Sequence, residues 1–321
     1  MKIGALTIDT PFVLAPLAGY TDSPMRRIAR RFGASMVWTE MVSAEGAVRG
    51  AEATLKLLEF SDEERPIAFQ LFGARPESMA GAARRAEGLS PDLIDLNVGC
   101  PARKVVRGGS GSALMADPDL LSAVASALVG AVDLPVTAKI RSGWDERSIN
   151  AAEVAQRLEA CGVAAVIVHP RTRAQGFKGE ADWSVIGRVR EAVGIPVIGS
   201  GDVREPAQAL AMMEATSCDA VMIGRGAVGN PWLFRRAVRM WSGDPDPGPP
   251  SMRERIEVAA GHLDLMVDSK GERRGVLEMR KHLVAYLRGA PGAARLRSEL
   301  VTMEGHANVR ERLERELEAQ G

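Results

Sequence analysis

Apolar, β-branched runs of strand length recur about every 25 to 40 residues along the first three quarters of the chain: Phe12–Ala18, Ser35–Val42, Pro66–Phe72, Leu93–Val98, Pro135–Ile140, Ala164–His169, Pro196–Gly199 and Ala220–Ile223. Segments of helical periodicity lie between them, among them Pro76–Glu87, Leu120–Val129, Ala151–Ala160, Val185–Val193 and Pro206–Ala215. Most of the strand-length runs show no polar/apolar alternation, which is the pattern of strands buried on both faces in a parallel sheet. Eight β/α units in roughly 235 residues predict an α/β fold closed into a (β/α)8 TIM barrel. The rival is an open doubly wound sheet, which usually has fewer strands and a Gly-x-Gly-x-x-Gly turn after the first. Here the first run ends in Ala15-Pro16-Leu17-Ala18-Gly19, and the barrel is preferred.

The periodicity changes after the eighth run. Trp241–Pro250 is linker-like in composition (Trp-Ser-Gly-Asp-Pro-Asp-Pro-Gly-Pro-Pro), and no strand signal follows it. Helices are expected over Met252–Val267, Arg274–Arg288, Ala293–Leu300 and Val309–Ala319. The expected organisation is therefore a barrel over residues 1–241, a linker over 242–250 and a small all-helical domain over 251–321.

Composition narrows the function classes. The chain carries 41 basic and 41 acidic residues, so global charge does not announce a nucleic-acid partner; a local basic patch would have to do so. One candidate exists: residues 270–297 hold eight basic side chains, Lys270, Arg273, Arg274, Arg280, Lys281, Arg288, Arg295 and Arg297, against two acidic ones. That stretch suits contact with a phosphate backbone, and it equally suits a solvated helix face. No uninterrupted apolar run reaches the length of a membrane span, and the N-terminus has no signal-peptide pattern, so a cytoplasmic protein is expected. Cys100, Cys161 and Cys218 are odd in number and far apart, which suggests neither a disulfide framework nor a metal site.

In a (β/α)8 enzyme the chemistry sits at the C-terminal strand ends. Polar or charged groups occupy seven of the eight ends: Glu40, Gln70, Asn97, Lys139 with Arg141, His169 with Arg171, Ser200-Gly201-Asp202 and Gly224-Arg225-Gly226. A packed core has no need of Gln, Asn, Lys and His in register at one rim. The last two ends are where many barrels bind phosphate: glycines admit backbone N–H groups to an anion, and Arg225 adds a forked donor. The plain alternative is two tight turns. A phosphate at the rim of a broad polar site suits a phosphorylated cofactor such as FMN. Lys139 would then stabilise negative charge on a reduced flavin, Gln70 would meet its pyrimidine edge, and Pro16, Leu17 and Ala18 would offer backbone contacts. Cys100, between Gly99 and Pro101 and just past Asp95 and Asn97, is a candidate acid or nucleophile, against the usual fate of a free cysteine as a small buried hydrophobe. Cys161 and Cys218 fit the latter. His262, His282 and His306 fall in the helical region and carry no such signal.

Together these motifs resemble the tRNA-dihydrouridine synthases. The resemblance runs in order through Ala15-Pro16-Leu17-Ala18-Gly19-Tyr20-Thr21-Asp22, Gln70-Leu71-Phe72-Gly73, Asp95-Leu96-Asn97-Val98-Gly99-Cys100-Pro101, Lys139-Ile140-Arg141-Ser142-Gly143-Trp144, His169-Pro170-Arg171-Thr172-Arg173, Ile198–Asp202 and Met222–Gly226. Lys281-His282 and Pro291–Ala294 are similar to the family's helical domain, and Cys100-Pro101-Ala102-Arg103-Lys104-Val105 with Gly111–Met115 is similar to the bacterial B-type synthase. The resemblance implies that NADPH reduces FMN, that reduced FMN gives hydride to C6 of a uracil, and that Cys100 protonates C5 from the other ring face. It implies that Lys139 and His169 support the flavin, with Ser200, Gly201, Asp202, Gly224 and Arg225 at its phosphate. Asn97 would orient the uracil, Arg171 would lie near flavin or substrate, and Lys281, Arg288 and Arg295 would help the helical domain grip tRNA. The target, uridine 17 of the D-loop by the B-type likeness, would leave the stack to react. No obligate protein partner is implied. Two positions depart from the pattern: Pro170 stands where glycine is usual and Ser200 where asparagine is common. The alternatives are a flavin barrel enzyme for a free pyrimidine, similar to dihydroorotate dehydrogenase, and a flavin-retaining tRNA-binding protein without turnover.

Overall fold

A computed structural model describes residues 1–290 and 292–319; Pro291, in the Pro291–Ala294 segment, lies outside them. Eight parallel strands form the barrel: β1 (Phe12–Leu14), β2 (Val37–Trp38), β3 (Ile67–Phe72), β4 (Leu93–Asn97), β5 (Val136–Arg141), β6 (Ala165–His169), β7 (Val197–Ser200) and β8 (Ala220–Ile223). Ladder pairing runs from β2 through β3 to β8 and on to β1. The remaining seam closes through two backbone bonds, Ser35 N–H to the Phe12 carbonyl and Leu14 N–H to the Met36 carbonyl, each 2.9 Å.

Side-chain direction alternates along each strand, which splits the core in two. Phe12, Leu14, Ile67, Phe69, Leu71, Ile94, Leu96, Val136, Ala138 and Ile140 point outward and pack under the surrounding helices. Val13, Ala15, Met36, Trp38, Ala68, Leu93, Ala165, Ile167, Ile198, Ala220 and Met222 point inward. Ile3 and Ile8, from the hairpin Lys2–Ile3/Leu6–Thr7, join this inner cluster and close its N-terminal end. The lack of alternation in the sequence is thus only partial. Toward the strand ends the inward positions become Gln70, Asp95 and Asn97, Thr137, Lys139 and Arg141, His169 and Ser200, all of them on the face opposite the apolar residues.

The helices Pro76–Glu87 and Ala151–Ala160 have the expected bounds, and Pro118–Val129, Ser184–Ala192 and Pro206–Thr216 differ from expectation by one or two residues. Ser23–Arg31 and Trp232–Trp241 are further barrel helices that periodicity did not reveal. The first announces itself by its cap: Asp22 accepts the Met25 N–H, and Pro24 stands in the first turn. After the linker come Met252–Lys270, Glu272–Tyr286, Ala293–Leu300 and His306–Glu318. Their core (Ile256, Leu263, Met279, Leu283, Tyr286, Leu296, Leu300, Val309, Leu313) also takes in Trp232 from the last barrel helix. Gly275 lets the first two of these helices approach closely; a Cβ there would lie 2.7 Å from the Met266 carbonyl oxygen. Arg236 holds the linker by a two-point bond to Asp246 at 2.7 and 2.9 Å.

One buried ion pair fixes the loop after β1. Arg26 Nε meets Glu64 at 2.5 Å, with both side chains almost fully buried. Arg26 also donates to the Thr21 and Glu59 carbonyls, each at 2.9 Å, and Glu64 accepts from Ser23 and from the Ser61 N–H. Removing one member leaves the other charge buried and unpaired. Glu64→Ala should therefore lose about 3–5 kcal/mol of stability in urea unfolding. A loss below about 1 kcal/mol, the range of an exposed pair, would contradict this account.

Candidate active site

A cavity of about 740 Å³ opens at the C-terminal strand ends, within the roughly 300–1,000 Å³ of small-molecule sites. Its floor is a chain of hydrogen bonds among inward side chains. Asp95 accepts from Gln70 Nε2 at 2.7 Å and from Thr137 Oγ1 at 2.6 Å. Gln70 Oε1 accepts from Asn97 Nδ2 at 2.8 Å, and Asn97 Oδ1 accepts the N–H groups of Gly99 at 3.2 Å and Cys100 at 2.9 Å. The chain thus ends on the backbone that carries the thiol. Burial pushes the Asp95 carboxyl up to about 6, opposed by its bonds to Gln70 and Thr137 and by the charge of Lys139.

Lys139 is the register neighbour of Asn97. It is half-buried, and it lines the cavity. Burial, then the nearby Arg141 cation, lowers its ammonium to about 8, opposed by Asp95 and Cys100. Among the described residues it has no hydrogen-bond acceptor, so its donors are left for a ligand. Arg141, two residues on and on the same face, donates to the Gly99 carbonyl at 2.7 Å and to the Thr172 and Gly176 carbonyls at 2.9 and 2.8 Å. It ties the Cys100 loop to the loop after β6. His169 is held neutral: burial first, then the cations Lys139, Arg141, Arg171 and Arg225, lower it to about 2. Its Nε2 is buried without a hydrogen-bond partner among the described residues.

The turns after β7 and β8 form another wall. Ser200, Gly201, Asp202, Gly224, Arg225 and Gly226 all line it. The turns are locked together, since a Cβ on Gly226 would fall 2.1 Å from the Val203 carbonyl oxygen. The Asp202 carboxylate is already engaged, with Arg171 at 2.6 Å, the Ala181 N–H at 2.8 Å and Arg225 at 3.3 Å. Its part in an anion site is therefore to aim Arg225, not to meet the anion. Pro170 is buried against the Gly201 turn, its ring 3.3 Å from where a Gly201 Cβ would be. Asp202 is the one carboxylate in the lining, against Lys139, Arg141, Arg204, Arg225 and Arg288. The site is therefore built for an anionic ligand.

Pro16, Leu17, Ala18, Tyr20 and Met41 complete the cavity beside Cys100. Leu17 N–H donates to Thr21 Oγ1 at 2.8 Å, which sets the first of these loops. The Cys100 carbonyl accepts from the Ser112 N–H at 3.1 Å and its hydroxyl at 2.9 Å. Gly111, at φ +61°, is needed beneath it, since a Cβ would lie 2.8 Å from that carbonyl oxygen.

Arg288 is the one expected tRNA-contact residue of the helical region that reaches the cavity. Arg171 does not line it: its side chain is buried, with Nε on the Lys178 carbonyl at 3.1 Å and Nη2 on the Gly179 carbonyl and Asp202, each at 2.6 Å, while Nη1 has no partner among the described residues. Lys281 donates to the Gly19 carbonyl and lies over the Tyr20 ring, a bond between the C-terminal helices and the loop after β1. Arg295 pairs with Glu299 on its own helix at 2.8 Å. Arg141, named at the fifth strand end, is a wall residue without an assigned role in the sequence reading, and Arg204, Tyr20 and Phe177 were not singled out there as wall residues. Phe177 is half exposed, with the Arg225 and Arg141 guanidinium groups 4.7 and 5.4 Å from its ring centre. The signal for Arg141 was its even spacing from Lys139; nothing in the sequence around Phe177 marked it. His282, which carried no signal, is buried with its ring edge-on to Tyr20 at 5.7 Å.

Residues 13–320 match the family described as dihydrouridine synthase. A probable tRNA-dihydrouridine synthase of Rickettsia conorii is 39% identical over 98% of this chain and 95% of its own length. The tRNA-dihydrouridine synthase B of Xanthomonas campestris is 40% identical over 93% of this chain and 90% of its own. Among solved structures, morphinone reductase superposes with a TM-score of 0.53 at 17% identity, covering 78% of this chain and 90% of that one. A 2-naphthoyl-CoA reductase complex superposes with a TM-score of 0.58 at 14% identity, covering 76% of this chain and 52% of that one. Those two are likenesses of fold alone. The match along nearly the whole chain and the identity to full-length relatives agree with the site: this chain belongs to the dihydrouridine synthase family.

Proposed function

We propose that this chain reduces the C5=C6 bond of a uridine in tRNA, uridine 17 of the D-loop, with FMN as its resident cofactor and NADPH as reductant. One observation carries the reading: a single cavity gathers Cys100, the Lys139 side chain, which has no hydrogen-bond acceptor among the described residues, and the paired glycine turns with Arg225. That donor set fits a flavin mononucleotide. The turns at Ser200–Asp202 and Gly224–Arg225 suit its phosphate. Lys139 suits the N1–C2=O edge, where negative charge gathers on reduction. When bound, reduced FMN supplies the hydride that goes to C6, and NADPH restores it.

The chain's own residues do the rest. Cys100 gives the thiol proton to C5, so a hydride and a proton together saturate the bond, and the thiolate regains its proton from solvent. Asn97 fixes the Cys100 backbone through two accepted N–H bonds. It thereby positions the acid, and its link to Gln70 ties that position to the flavin side of the site. His169 stays uncharged, which spares a cavity already crowded with cations one more. Lys139 stays a cation at neutral pH and loses the proton as pH rises through about 8. The target base must be flipped out of the tRNA to enter.

The purified protein should be yellow and release FMN on denaturation. Cys100→Ala should keep FMN and tRNA binding but oxidise its reduced flavin with tRNA about 100-fold or more slowly, the scale of a general acid. Full activity in that variant would remove the proton-donor role. Lys139→Met should lower the midpoint potential of the bound flavin by on the order of 30–60 mV, at about 30 mV per 1.4 kcal/mol. The gap from the parent should narrow above pH 8, where the ammonium deprotonates. An unchanged potential at pH 7 would place Lys139 away from the flavin edge.

A further inference from the structure

Six of the eight basic side chains between residues 270 and 297 are engaged within the protein, while Arg273 and Arg288 are exposed and have no partner among the described residues. Lys270 is bound by Asp22 and Glu278, Arg274 by Glu278, and Arg295 by Glu299. Arg280 and Arg297 donate to the Met303 and Leu287 carbonyls, and Lys281 to Gly19. Carboxylates within about 3 Å cancel much of the field that three of these cations would offer an incoming polyanion.

The short helix Arg103–Val106, which follows Cys100 in the barrel, is the opposite case. No acidic residue occurs from Leu96 to Ala116, while Arg103, Lys104 and Arg107 all do. All three side chains are exposed, and none has a partner among the described residues. The element that bears them is anchored. Val105 is buried against Gly111, and the Cys100 carbonyl is held by Ser112. Pro101 and Ala102 line the cavity itself, so the cations begin where its wall ends. Three residues span at most about 11 Å, which keeps Arg103 close to the thiol.

Resting on the reading of the site as a uridine-reducing one, we infer that Arg103, Lys104 and Arg107 form the surface that grips the RNA phosphates flanking the flipped-out nucleotide. A base that enters the cavity brings its own 5′ and 3′ phosphates to the mouth. Cations fixed on the same anchored loop as the proton donor would couple backbone capture to placement of C5 near the thiol. The barrel rim, rather than the paired helices of the C-terminal region, would then supply most of the salt-dependent affinity.

The test compares the FMN-loaded full chain with the triple variant Arg103→Ser/Lys104→Ser/Arg107→Ser and with the double variant Arg274→Ser/Arg295→Ser, measuring affinity for tRNA transcript across a range of salt. Equal flavin content would show that the variants are folded. The triple variant should bind tRNA roughly tenfold or more weakly near 0.1 M salt, with the slope of log affinity against log salt reduced by about 2 to 3. The double variant should stay within about twofold of the parent, because each of its cations is already neutralised by a carboxylate. If the parent binds tRNA with a steep salt slope and the triple variant matches it, the inference is wrong while the uridine-reducing reading stands. A larger loss in the double variant than in the triple would also overturn it. A parent that binds no tRNA at all would sink both.

Discussion

The site hangs on one constraint: inside a closed barrel, every second side chain of a strand must point at the axis. At the lower levels those positions are Val, Ile, Ala, Leu, Met and Trp, and the axis is apolar. Toward the strand ends they are Gln, Asp, Asn, Thr, Lys, Arg and His, and such groups survive burial only when they are paired or open to a ligand. Asp95 is the pivot. Its carboxylate accepts hydrogen bonds from Gln70 and Thr137, Gln70 Oε1 accepts one from Asn97, and Asn97 Oδ1 accepts the N–H of Cys100. A single chain of short bonds thus runs from the middle of the barrel to the thiol. What it leaves over is cationic, and that surplus gives the cavity its appetite for an anion.

The same economy explains why Arg141, Arg171 and Arg225 do different things despite their similar places at strand ends. Arg141 is turned back onto the carbonyls of two loops and Arg171 onto Asp202 and the Lys178–Gly179 turn, so both are structural clamps. Arg225 keeps a looser hold on Asp202 at 3.3 Å and remains near half exposed at the rim. The C-terminal helices act on the site from the other side. Lys270 binds Asp22, Lys281 binds the Gly19 carbonyl, and Gly229, after β8, meets the backbone of Ala285 so closely that a Cβ would fall 2.3 Å from its carbonyl carbon. The loop that walls the cavity at Pro16–Tyr20 is therefore held between the barrel and the C-terminal helices.

Much of this was legible in the residues. Strand and helix periodicity gave the eight-fold βα repeat, the end of the barrel pattern near Trp241 and most helix bounds to within a few residues. The rule that barrel chemistry gathers at C-terminal strand ends picked out Cys100, Gln70, Asn97, Lys139, His169 and the two glycine turns, all of which share one cavity. These inferences hold because they depend on local periods and on topology, which the order of residues encodes directly.

Tertiary structure decided which polar group is spent and which is free. Arg171 and Arg295 look as available in the sequence as Arg225 and Arg103, but a carboxylate 31 residues away along the chain claims the first and one four residues away claims the second. Phe177, Tyr20 and Arg288 become wall residues only because loops from distant segments converge. A hydrogen bond is a relation between two positions in space, and composition and period fix only one of them. The sequence by itself therefore determined the barrel and the candidate groups at its rim; folding determined which of those groups are left for a ligand.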